Sequence, residues 1–126
     1  MKFTIDKHEK YVLLKLDEIK LDSEISPKLK TELILINAEG QRNIILDLSS
    51  VENVSDSSDL SSLLIGHRIC ENSNGVFIIT GLNDQISDLV SVSQLENVLT
   101  IVSKVEEAVD LIFMEEIEKE LSRESK

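Results

Sequence analysis

The sequence predicts an α/β domain with a mixed, mostly parallel sheet of about five strands and about four helices. Three observations carry that expectation. Short apolar runs rich in β-branched residues recur at 44–48, 76–80 and 98–102, the pattern of strands covered on both faces. Segments of helical periodicity separate these runs, and strands alternating with long helices need crossover connections, hence parallel pairing. Residues 1–16 instead hold two strand-like runs joined by a charged turn, which makes one antiparallel pair.

Each element has its own signal. Phe3 and Ile5 alternate with polar residues, 6–9 is a charged turn, and 11–16 is apolar enough for a second strand. Asp22 or Ser23 caps the first helix, and Pro27 fits its first turn, where a missing N–H costs nothing. Ile25, Leu29, Leu33 and Ile36 give that helix an apolar face, and Ala38-Glu39-Gly40 ends it. Residues 49–62 are rich in serine; Leu60, Leu63, Leu64 and His67 then recur at helical intervals up to Asn72. Asn74-Gly75 turns the chain into the strand 76–80, and Gly81 to Asp84 starts a helix carrying Ile86, Leu89, Val90 and Val92. The strand 98–102 precedes a closing helix from Lys104 to about Leu121, with Val105, Ala108, Val109 and Ile112 on one side. Residues 122–126 read as a frayed polar tail. No repeat or linker interrupts 1–126, so one domain is expected.

Composition narrows the function. The 13 Lys+Arg and 24 Asp+Glu of the 126 residues leave a net charge of −11. That charge repels phosphate backbones and anionic lipid, so nucleic acid and membrane surfaces are poor partners and a basic protein is a suitable one. Hydrophobic residues make up 41%, too many for a disordered chain, and only 3% are aromatic, so the core is aliphatic. Cys70 is the single cysteine; no internal disulfide is possible, and a reducing compartment fits. The first ten residues lack the apolar run of a signal peptide, and no stretch nears the ~18–20 apolar residues of a membrane span. A cytoplasmic location is the expectation.

No enzyme or cofactor signature is present. Gly40, Gly66, Gly75 and Gly81 have no phosphate-loop or dinucleotide spacing. His67 and Cys70 are three residues apart, but two ligands do not make a zinc site. Nothing resembles a nucleophile elbow. The informative stretch is the turn Asp56-Ser57-Ser58-Asp59, between a buried strand and a helix. Capping explains any one of these residues and is worth about 1 kcal/mol. One cap needs one residue, however, and the crowding points to a phosphoacceptor hydroxyl. Phosphate adds about −1.5 to −2 charges and sits well at a helix start, so it would switch a surface without unfolding it. If Leu60, Leu63, Leu64 and His67 face the sheet, then Ser58, Ser62, Ile65 and Ile69 lie nearly opposite, and the two isoleucines make a docking patch beside the serines. The carboxylates of the closing helix (Glu106, Glu107, Asp110, Glu115, Glu116) read as a solvated face or as a complement to a basic partner.

Asp47-Leu48 at a strand end, followed by Val54, Asp56-Ser57-Ser58 and Leu60, resembles the signature of STAS domains, the bacterial anti-sigma factor antagonists and their relatives. Leu21-Asp22, the run Phe77 to Leu82, and Val105-Glu106-Glu107-Ala108 are similar to other stretches of that family, in the same order. The resemblance implies a small STAS-type α/β domain with helices chiefly on one face of a mixed sheet. It implies phosphorylation at Ser57, with Ser58 as the alternative acceptor. It also implies a transcription-regulating partner: an anti-sigma factor that is itself a serine kinase, opposed by a phosphatase. Asp22, Asp56, Ser57, Ser58, Asp59, Ser62, Ile65 and Ile69 form the expected partner-binding set. Two positions depart from the pattern: Asp59 and Ser61 stand where the family usually has glycine, and one extra residue precedes Asp56. A non-phosphorylated scaffold or a small-ligand-sensing subunit is therefore the alternative, and dimerisation stays open.

Overall fold

The computed structural model describes residues 1–124, with side-chain surroundings up to residue 122. Strands β1 (Phe3–Lys7) and β2 (Val12–Leu16) form the expected hairpin, in the register Phe3 to Leu16 and Lys7 to Val12. Helix α1 (Ile25–Ala38), strand β4 (Ile44–Asp47), helix α2 (Ser61–Asn72), strand β6 (Phe77–Thr80), helix α3 (Asp84–Val92), strand β7 (Thr100–Val102) and helix α4 (Val105–Glu124) follow. The five-stranded sheet has the order β1-β2-β4-β6-β7, antiparallel only between β1 and β2. Two short strands, β3 (Lys20–Leu21) and β5 (Asn53–Val54), pair in parallel as a separate ribbon.

Alternation along the strands divides the core. Ile44, Leu46, Phe77 and Ile79 point to one face, where they meet Leu29 and Leu33 of α1, Leu63 and Cys70 of α2, and Ile86 and Val90 of α3. Ile45 and Ile78 point to the other, under Ala108 and Ile112 of α4. Three helices thus cover one face and α4 alone covers the second.

A buried polar network bolts α4 in place. Arg42 Nη2 donates to Glu116 Oε1 and Oε2 at 2.9 and 2.6 Å. Asn43 Nδ2 donates to Glu116 Oε1 at 2.7 Å and to the Lys10 carbonyl at 2.9 Å, while its Oδ1 accepts from Val76 N–H at 3.0 Å. Burial alone pushes the Glu116 carboxyl up. The hydrogen bonds from Asn43 and Arg42 and the charges of Arg42 and Lys119 outweigh it, holding the group below its usual range.

Four expectations are corrected. The strand expected at 98–102 is shorter, because the N–H groups of Val98 and Leu99 both donate back to the Leu95 carbonyl in a turn, at 3.0 and 2.9 Å; β7 lies at the sheet edge and Val98 is 42% exposed. Residues 122–124 continue α4 rather than fray, and 125–126 lie outside the described residues. The helix after the serine turn opens as a 3₁₀ turn, Ser57–Leu60, before α2 proper. Finally, α2 is rolled relative to the expected stripe. Ser62, Leu63, Gly66 and Cys70 are buried, whereas Leu64 and His67 are only half-buried. The cause is the row of small residues Ser62, Gly66 and Cys70, four apart, which lets α2 approach its neighbours closely; the Gly66 backbone lies against the Phe77 ring.

Candidate functional site

The serine turn is held by the ribbon and by the start of α1. The β3–β5 ribbon leads into it, and Ser55 N–H donates to the Leu21 carbonyl at 3.0 Å. That contact sets the start of α1 beside the turn. There, Asp22 Oδ1 accepts the N–H groups of Glu24 and Ile25 at 3.0 and 2.9 Å, as a capping aspartate should. Ser26 Oγ then reaches across to donate to the Asp59 carbonyl at 2.8 Å. Upstream of the turn, Gly81 packs against the end of β4 with φ of 81°; a Cβ there would meet Ser49 N at 2.7 Å and Asp47 Oδ1 at 2.8 Å. Asp47 Oδ1 accepts from Ser49 N–H at 2.9 Å, so the Asp47-Leu48 step and Gly81 form one tight junction at the end of β4, where the chain sets out towards the serine turn.

Within the turn the four residues have different tasks. Asp56 is extended (φ −148°, ψ 151°) and caps the 3₁₀ turn, its Oδ2 accepting from Ser58 N–H at 2.9 Å and from the Ser58 hydroxyl at 2.5 Å. The Ser58 hydroxyl, followed by its N–H, holds the Asp56 carboxyl below its usual range. Asp59 closes the reciprocal half of a capping box: its Oδ2 accepts from Asp56 N–H at 3.1 Å. Asp59 is consequently buried, at 6% exposure, and its carboxylate points inward. Ser57 and Ser58 are both exposed. Among the described residues the Ser57 hydroxyl has no protein hydrogen-bond partner.

The expected partner-binding set is therefore only partly gathered at the surface. Asp22, Asp56, Ser57 and Ser58 meet around the turn. Asp59 contributes from beneath it. Ser62 is fully buried and donates to the Asp59 carbonyl at 3.4 Å. Ile65 is half-buried, and Ile69 packs against the main core. The apolar surface beside Ser57 lies elsewhere. An open groove of about 620 Å³ runs between α2 and α3, lined at one end by Ser57 and Ser58 and along its floor by Leu60, Leu64, Leu89 and Leu95. Val92, 80% exposed, stands on its rim. Its signal in the sequence is Leu64 and Val92, apolar residues that fall outside the buried stripes of their helices. His67 pairs with Glu71 at 2.9 Å, and Cys70 is buried with its thiol pushed up to about 12 by desolvation.

The family model for the STAS domain matches residues 2–108, taking in the sheet, the ribbon and the serine turn. This chain belongs to the STAS family. Solved structures agree on the STAS fold. The anti-sigma factor antagonist SpoIIAA in its unphosphorylated form matches with a TM-score of 0.72 at 18% identity, over 88% of this chain and 96% of that one. Bacillus SpoIIAA in its phosphorylated form matches with a TM-score of 0.65 at 19% identity, over 88% and 99%. RsbS of Moorella thermoacetica, in a Ser-to-Glu variant, matches with a TM-score of 0.70 at 21% identity, over 98% of this STAS chain and 99% of its own. Among the described residues no helix is long and apolar enough to cross a membrane.

Proposed function

We propose that this STAS domain is a protein-binding regulatory module of anti-sigma factor antagonist type, switched by phosphorylation of Ser57. The observation that carries the reading is the contrast between the two serines. Ser57 offers an exposed hydroxyl with no partner in the described protein, whereas the Ser58 hydroxyl is held by Asp56. A kinase base must take the acceptor proton, and a hydroxyl already donating to a neighbouring carboxylate is the poorer substrate. The α2–α3 groove gives a partner apolar contact next to the acceptor. Phosphate at Ser57 places close to two negative charges at the mouth of that groove, beside Asp56, which opposes docking of the same partner. The likeness to SpoIIAA in both its unphosphorylated and its phosphorylated form supports a fold that tolerates the modification.

The departure at Asp59 favours this switch over a permanently charged scaffold. Its carboxylate is turned into the capping box and away from the serine hydroxyls, so it is a poor imitation of phosphate. The partner in this reading is a serine kinase that doubles as anti-sigma factor, with a phosphatase to reset the switch, and the setting is the bacterial cytoplasm. The domain itself supplies no catalytic group. The test is a pull-down from the source cell, followed by incubation of the recovered kinase with ATP and intact-mass mapping. Wild type and Ser58→Ala gain one phosphate, and Ser57→Ala gains none. Phosphate retained by Ser57→Ala contradicts the assignment.

A further inference from the structure

The second half of α4 carries an apolar strip that nothing in the described protein covers. Phe113, Met114, Ile117 and Leu121 are 44, 58, 55 and 59% exposed. At about 100° per residue, positions 113, 117 and 121 advance slowly around the helix and 114 fills the same arc. The four therefore form one continuous strip, on the side opposite Ala108, Ile112 and Glu116, which are buried. The helix cannot roll to hide it, because Glu116 is gripped by Arg42 and Asn43. The strip also lies wholly beyond residues 2–108, the stretch that matches the STAS family model.

Charge identifies the occupant. Asp110 sits in line with the strip, and Glu118 and Glu120 flank it; all three are exposed, and none is ion-paired among the described residues. Lys119 is drawn away from this side to the Asn74 carbonyl. We propose that the strip docks a basic amphipathic helix of a partner protein, with apolar side chains on Phe113, Met114, Ile117 and Leu121 and Lys or Arg against the three carboxylates. A second copy of this chain would bring identical carboxylates together, and an anionic lipid surface meets the repulsion of a chain with net charge −11. The strip lies across the sheet from the serine turn, so it provides a contact that phosphorylation of Ser57 does not gate.

The experiment titrates the isotope-labelled full chain with a synthetic helical peptide of leucine and lysine, about four turns long, with a leucine–glutamate peptide of the same pattern as control. Saturable amide shifts centred on 110–121 are expected with the lysine peptide and none with the glutamate peptide. Phe113→Ser combined with Ile117→Ser is expected to weaken binding about tenfold or more, with the circular dichroism spectrum unchanged. Asp110→Asn combined with Glu118→Gln weakens it as well, and this loss grows at low salt. Shifts spread over the acidic surface, or equal affinity in the Phe113/Ile117 variant, overturn the proposal. So does a sedimenting dimer that Ile117→Ser dissociates, since the occupant is then a second copy.

Discussion

Asp59 shows how one side chain can be misjudged by its charge. As a carboxylate beside an acceptor serine it reads as an electrostatic feature, whereas its position three residues after Asp56 makes it a capping partner. The spacing Asp-x-x-Asp was in the sequence; what was absent was any sign that the side chain turns inward. Replacing it follows from that role. Asp59→Ala leaves the Asp56 N–H unpaired and is expected to cost about 1 kcal/mol, read as a lower urea midpoint with an unchanged slope. Asp59→Gly restores the residue usual in the family and costs a similar amount in stability, yet leaves the Ser57 hydroxyl as exposed as before. Phosphorylation of Asp59→Gly at a rate within a few-fold of wild type checks that Asp59 is structural rather than a phosphate mimic.

Helices and strands differ in how openly they announce themselves. The hairpin and the four helices are legible because their apolar residues alternate or recur at helical spacing, and the three parallel strands because each lies in a short continuous apolar run. The β3–β5 ribbon is not, since two residues carry no period, although it is what sets Asp22 beside the serines. The roll of α2 leaves a fainter signal, because Ser62, Gly66 and Cys70 form its packing face without adding to the apolar period. Gly66→Ala tests that point: the new Cβ would lie 2.5–2.9 Å from ring carbons of Phe77, which is itself buried. Overpacking outweighs the helix preference for alanine, and a net loss of about 1–3 kcal/mol is expected in chemical denaturation. The clamp on α4 joins residues 74 apart and leaves no local trace. Glu116→Ala strands Arg42 and Asn43 and is expected to destabilise by about 1–3 kcal/mol at neutral pH. Because the folded Glu116 carboxyl sits below its ordinary 4.5, its stabilisation is complete above that pH and is lost as pH falls through the folded value. The stability difference between wild type and Glu116→Ala should therefore shrink on acidification below about pH 4.5.

For the whole molecule, the charge of −11 has resolved into places with different tasks. Some carboxylates are internal fastenings, as at Asp22, Asp59 and Glu116, and some line α4 beside an uncovered apolar strip. Beside Ser57, Asp56 presents its charge to solvent while Asp59 is turned inward, so a phosphate there changes the local field substantially. A partner drawn by this acidity should bind less tightly as salt rises, mainly through slower association. The most direct test of the proposed switch is calorimetric titration of the proposed kinase partner with unphosphorylated protein and with protein phosphorylated at Ser57, at one salt concentration. Binding by the unphosphorylated form, and affinity weaker by about tenfold or more for the phosphorylated form, is the predicted result. Equal affinities for the two forms would contradict it.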